Sequence, residues 1–232
     1  VVGALAAPMA AVLPRAAWAA PGAPLRFLDA HQGAVVVAAT ARLIPGPTDD
    51  LLELGHPGAR EAHVVGYIDG LLSAFDTDPP RIFAGGPFSG RRGGDHDDFA
   101  DFAPLSALQD RWWRGEVARL QGVYRAGIAA LDAAAGGDYA AADAVTQDLV
   151  LAGDGTGFRD VLFDHAIQGW LASPEYGGNR DRVGWVEIRF PGDTAPRGYT
   201  AQEVSRSDGL DLIDPTGVVT ALLHQLKGVL GG

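Results

Sequence analysis

Asp95-His96-Asp97-Asp98, with Asp101 close behind, is the densest group of possible metal ligands in the chain. Carboxylates and an imidazole can hold a hard or borderline cation. The order matches no calcium loop, however, and four consecutive side chains in a Gly-rich stretch cannot all turn to one ion. Arg91-Arg92 just upstream offers local charge pairing, so the stretch reads first as a solvated acidic loop. The six histidines are His31, His56, His63, His96, His165 and His224, and no two stand at the i, i+4 spacing of a helical metal pair. Asp160, Asp164 and His165 share one expected helix, so an acid–base pair can be drawn there. Neither a nucleophile nor an oxyanion donor accompanies it, and a hydrogen-bonded or packed histidine is the simpler reading. Gly153-Asp154-Gly155-Thr156-Gly157 has the glycines of a nucleotide loop, but it joins two helices and lacks the preceding strand such a loop needs. It reads as a helix-terminating turn. The H-E-x-x-H and G-x-S-x-G motifs and the common phosphate-loop spacings are absent. No catalytic, cofactor-binding or metal-binding residue is therefore assigned.

Composition narrows the remaining chemistry. The 232 residues are 47% hydrophobic and 20% charged, with a mean hydropathy of +0.05, which suits one domain with a sizeable core. Lys+Arg 18 against Asp+Glu 29 gives a formal net charge of −11. Nucleic acid and anionic membrane surfaces are poor partners for such a chain, because both reward a basic patch that replaces counterions. With no cysteine, disulfides, thiolate metal sites, Fe–S clusters and cysteine nucleophiles are excluded. Lys227 is the one lysine, so a Schiff-base reaction has a single candidate.

Positioning falls to helices, because apolar residues recur at three- and four-residue steps and strand-like alternation is nearly missing. A first helix is expected over 28–44, stopped by Pro45-Gly46-Pro47. A second opens at Pro57-Gly58 and carries Ala62, Val65, Ile68, Leu72 and Phe75 on one face. Residues 76–98 form a break rich in Gly, Pro and charge. The longest helix is expected over 104–135. Ser106 and Gln109 form its capping box, Leu105, Leu108, Trp112, Val117, Leu120, Tyr124, Ile128 and Leu131 its apolar stripe, and Gly136-Gly137 its end. Two more helices are expected over 140–151 and 158–172, and a last one near 215–230. The fold class is all-α: one compact helical domain of about six helices, with a long Gly- and aromatic-rich irregular segment near the C-terminal third.

Residues 1–13 are apolar and rich in Ala and Gly, broken by Pro8, followed by Arg15 and a small-x-small site at Ala17-Trp18-Ala19. That is the pattern of an export signal without its charged beginning. The run is too short and interrupted for a bilayer span, which takes about 20 apolar residues. The modest hydrophobicity, and the arginine before the cleavage site, favour the twin-arginine type. The expected organisation is thus a signal remnant over 1–19, a linker over 20–27 and a helical domain over 28–232.

The most unusual string is aperiodic: Ser173-Pro174-Glu175-Tyr176-Gly177-Gly178-Asn179-Arg180-Asp181, then Gly184-Trp185 and Phe190-Pro191-Gly192. Paired glycines permit backbone angles closed to other residues, and the aromatics offer large apolar bodies. Such a segment either folds back as a structural lid or presents an aromatic surface to a partner. Here the chain resembles the gluconate 2-dehydrogenase subunit 3 family over nearly its whole length. Leu28-Asp29-Ala30-His31-Gln32 and Ile44-Pro45-Gly46 look like the family's opening helix. Pro57-Gly58-Ala59-Arg60-Glu61-Ala62 with Tyr67-Ile68-Asp69 looks like its second. Tyr124-Arg125-Ala126-Gly127-Ile128 and Leu131-Asp132 are similar to its middle helix. His165, Gly169 and the string from Pro174 to Pro191 resemble its hallmark region. Gln168 stands where the family pattern has Glu, and the acidic Gly-rich loop after Pro79 lies outside that pattern.

The resemblance implies a small subunit without a catalytic site. Its partner would be a glucose-methanol-choline-type flavoprotein large subunit that carries FAD and oxidises a sugar, polyol or glycoside alcohol. A multihaem cytochrome c subunit often accompanies the pair. The small subunit would assist flavin loading and carry the folded partner through the twin-arginine route, to the periplasm or the outer face of the cytoplasmic membrane. The expected partner-binding residues are Tyr176, Gly177, Gly178, Asn179, Trp185, Phe190 and Pro191. Two other readings compete. One is a free-standing exported metal-dependent hydrolase using Asp95, His96 and Asp97; the other is a helical ligand-binding protein with the aromatic segment over a pocket.

Overall fold

The computed structural model describes residues 24–82, 102 and 104–190. The acidic loop at Asp95–Asp98, the expected signal segment, Pro191 and the expected helix over 215–230 lie outside these. The described residues form six α-helices and no strand: α1 (Ala30–Leu43), α2 (Val64–Leu72), α3 (Ala107–Ala134), α4 (Ala144–Ala152), α5 (Phe158–Leu171) and α6 (Val183–Glu187). The all-α expectation holds. The sixth of these helices differs from the sixth expected, because α6 lies inside the stretch that reads as aperiodic.

Helix α2 is the centre. Val64, Val65, Ile68 and Leu72 are buried on it, and α1, α3 and α5 each pack against it. A short helix that is apolar on most sides is stable only when neighbours enclose it. Its start differs from the expected one: residues 59–63 form turns, and the helix begins only after His63, which adopts left-handed angles (φ +55°). Glu61 holds this entry in place, accepting from the Gly58 N–H at 2.9 Å and from the Thr48 hydroxyl at 2.9 Å. Similarly α4 begins at Ala144 rather than 140, because the Asp143 carboxylate caps the Thr146 N–H at 2.9 Å.

Helix α1 carries a capping box between Asp29 and Gln32, and α3 carries the expected one between Ser106 and Gln109. The α3 stripe is buried only from Val117 onward, through Leu120, Tyr124, Ile128 and Leu131. Leu108 and Trp112 sit on the exposed first turns, contrary to their expected place in the stripe. Helix α5 presses on α3 through the edge-to-face pair Tyr124–Phe158, and a Cβ at Gly127 would collide with the Phe158 ring.

Asp69 fastens the chain entering α1. Its carboxylate, buried on α2, accepts the N–H groups of Arg26 (2.8 Å), Phe27 (3.0 Å) and Leu28 (2.9 Å). A buried charge is tolerated where several donors replace its water.

Candidate functional site

The segment 174–190 is laid against α2 and α5 by backbone-to-backbone contact. A methyl group at Gly66 would stand 2.6 Å from the Gly177 carbonyl oxygen, and one at Gly177 (φ +97°) would stand 2.7 Å from that of Gly66. Two glycines thus let one backbone run directly over the other. Asn179 sits fully buried with left-handed angles (φ +44°). Its N–H donates to the Gly169 carbonyl at 2.8 Å and its side-chain amide to the Ala172 carbonyl at 2.9 Å. Its Oδ1 accepts from the Gly184 N–H at 2.9 Å. The next N–H, of Arg180, donates to Ala62 at 3.0 Å. Trp185 is 5% exposed and its indole donates to the Leu171 carbonyl at 2.7 Å.

Of the expected partner-binding residues, then, Gly178, Asn179 and Trp185 face inward, and Tyr176 and Gly177 are half-buried. The Tyr176 hydroxyl donates to the Ile82 carbonyl at 3.3 Å and its ring meets Phe102 edge to face. Phe190, stacked edge-on against Trp185, is exposed. The fold-back reading describes the inner part of the segment; the presenting part is its end, where Val186 (70% exposed) and Ile188 (52%) stand beside Phe190 (41%).

A second apolar segment lies next to it. Leu51, Leu52 and Leu54 are 85%, 88% and 78% exposed on a short 3-10 turn. The two segments are joined by His56 and Glu187, whose Nδ1 and Oε1 are 2.7 Å apart. Nearby, the Trp170 indole donates to the Pro57 carbonyl at 3.1 Å. Sequence periodicity overlooks this leucine group because it belongs to no helix. The one signal available was three leucines in four positions, between Pro47 and Gly55, where a loop is ordinarily polar.

Among the described residues, those that the sequence marks for chemistry have structural partners. His165 is buried against Tyr124, its Nδ1 2.9 Å from the phenol oxygen and the rings parallel. Burial holds its pKa below the ordinary value, and the two groups share this hydrogen bond. Asp160 pairs with Arg159 rather than with His165. In the glycine turn, Asp154 accepts the N–H groups of Thr156 (2.9 Å) and Arg159 (2.8 Å). Its carboxylate fills the place at the α5 start that a phosphate would need. One cluster was missed in the sequence: His31, Asp132 and Asp138 converge where α1 begins and α3 ends. His31 Nε2 lies 2.8 Å from Asp132, whose other oxygen accepts from the Tyr139 N–H at 3.0 Å. Asp138 caps the Ala141 N–H at 3.1 Å.

The inner part of the most distinctive loop is thus spent on internal packing, while leucine, valine, isoleucine and phenylalanine side chains at its end and on the 51–54 turn stand outside. The chain belongs to the gluconate 2-dehydrogenase subunit 3 family, whose model matches residues 30–192. The family is named for one subunit of a dehydrogenase complex, and the match spans α1 to α6. No curated protein and no solved structure matches the chain significantly. No described helix is long and apolar enough to cross a membrane.

Proposed function

We propose that this chain is the non-catalytic small subunit of an exported, membrane-associated flavin-dependent dehydrogenase acting on sugar, polyol or glycoside alcohols. Its work is to assemble with the FAD-carrying large subunit, assist its maturation and take it through twin-arginine export to the periplasmic side. Family membership over residues 30–192 is the observation that carries this reading. The site geometry supports it. The turn most like a phosphate loop is closed by Asp154, so the chain offers no cradle there for a dinucleotide. FAD would supply the hydride acceptor in the partner. This chain's own residues hold a shape: Asn179 and the glycines fix the hallmark segment, and its outer end stays apolar and exposed.

Native affinity purification of this chain from its source cell, followed by an absorption spectrum, tests the reading. A larger copurifying chain with a flavin band is the expected result, and haem bands would add a cytochrome c subunit. A colourless single chain after gentle purification would refute it.

A further inference from the structure

We infer that Leu51, Leu52 and Leu54 together with Val186, Ile188 and Phe190 form one docking face for the large subunit of the complex, a protein surface with an apolar centre and a basic rim. The inference rests on the reading of the chain as that partner's small subunit.

Order is the first argument. An apolar loop could be exposed simply because nothing restrains it, but this one is held in shape at both ends. The Asp49 and Asp50 N–H groups donate to the Gly46 carbonyl at 2.9 Å, Asp50 caps the Leu52 N–H at 2.8 Å, and the His56 N–H donates to Glu53 at 2.8 Å. The other segment is equally fixed. The chain turns over at Arg189 (φ +55°), and the Phe190 N–H returns to the Trp185 carbonyl at 2.7 Å. His56–Glu187 then clips the two segments together. Two ordered segments distant in sequence, with six exposed apolar side chains between them, are thereby brought together at one contact, an arrangement that gains a monomer nothing.

Charge identifies the occupant. Asp50 and Glu53 stand beside the leucines and Arg189 beside Ile188, while Glu187 is held by His56 at 2.7 Å and Asp49 by Arg60 at 2.8 Å. The rim is acidic on a chain whose net charge is −11. An anionic lipid surface is repelled by such a rim. A second copy would bring the same acidic rim against itself across a two-fold axis. A small ligand would want a hollow, whereas leucines this exposed protrude. A protein with a hydrophobic hollow and Lys or Arg around it satisfies both the apolar centre and the rim.

The experiment is capture of the FAD-carrying large subunit, coexpressed with the full-length chain, by an affinity tag on the chain. Leu52→Asp combined with Ile188→Asp should weaken binding by at least about tenfold, as expected for truncating a central anchor. Circular dichroism and the thermal midpoint should stay as in the wild type, because both side chains are exposed. Leu149→Asp, equally exposed but on α4, should bind normally. Undiminished binding by the double variant, or equal damage from Leu149→Asp, overturns this face and leaves the subunit reading standing. Failure of the wild-type chain to bind the large subunit overturns both. Two other results also overturn it: a homodimer of the isolated chain that the double variant dissolves, or flotation with phosphatidylglycerol vesicles that it abolishes.

Discussion

Asn179 combines a left-handed backbone, a buried amide donor and a buried amide acceptor, and few residues besides asparagine tolerate all three. Asn179→Ala would leave the Ala172 carbonyl and the Gly184 N–H without partners and put alanine at φ +44°. Unmet buried groups cost about 1–3 kcal/mol each, so a loss of about 3 kcal/mol in a urea titration is expected. His63 makes a pH prediction. Burial first, and then the nearby Arg180 charge, push its pKa down to about 4. The unfolded chain protonates this ring near pH 6.5, the folded one only near 4. Its contribution is therefore intact above pH 6.5, declines as pH falls through that window, and is fully lost below about 4. His165, also held neutral by burial, acts in the same direction. His63→Asn, which keeps a residue tolerant of left-handed angles, should flatten the fall of thermal midpoint between pH 6.5 and 4. An unchanged slope would assign the acid sensitivity elsewhere. At this scale the sequence showed which string was unusual but not which way it faced. The burial of Trp185 and Asn179 depends on Gly66, Gly169 and Ala62, distant in the chain and silent in any local pattern.

Helices were legible where one residue type dominated their ends. Ser106 with Gln109 marked α3 and Gly136-Gly137 closed it. α2 was misplaced at its start because Pro57-Gly58 resembles a helix opening, whereas Glu61 ties residues 58–61 into a turn and His63 breaks the backbone direction. α6 was invisible: five residues, Val183–Glu187, are too few for periodicity. The exposed half of α3 was read as core because a helical stripe reports a face and not how far a neighbour extends along it. Asp69 shows the same limit, since an aspartate inside an apolar helix reads as a polar interruption until the incoming strand of chain is seen around it. Asp69→Ala should free three N–H groups at once. We expect faster amide exchange at Phe27 and Leu28 and a stability loss of about 2–4 kcal/mol. Protection unchanged at those two amides would mean that packing of Leu28, not the carboxylate, holds the entry to α1.

For the whole molecule, charge and apolar surface act at different stages of one encounter. A net charge of −11 spreads a field well beyond contact distance, whereas the six apolar side chains act only once water is expelled between the partners. The field should therefore govern how fast the complex forms and the apolar centre how slowly it separates. His56 strengthens that division. Its hydrogen bond to Glu187, and then the glutamate's charge, raise its pKa, so protonation strengthens the clip, which shields one acid between the two segments while Asp50 and Glu53 stay outside it. Stopped-flow association of the chain with its large subunit should slow by about tenfold between low and about 0.5 M salt, where the screening length shrinks from tens of ångströms to a few. Dissociation over the same range should change by less than about threefold, because the contacts that must break are apolar. A rate of association indifferent to salt would mean that the acidic rim does not meet a basic one. Dissociation that accelerated with salt as steeply as association slowed would place ion pairs, rather than these leucines and their neighbours, at the centre of the contact.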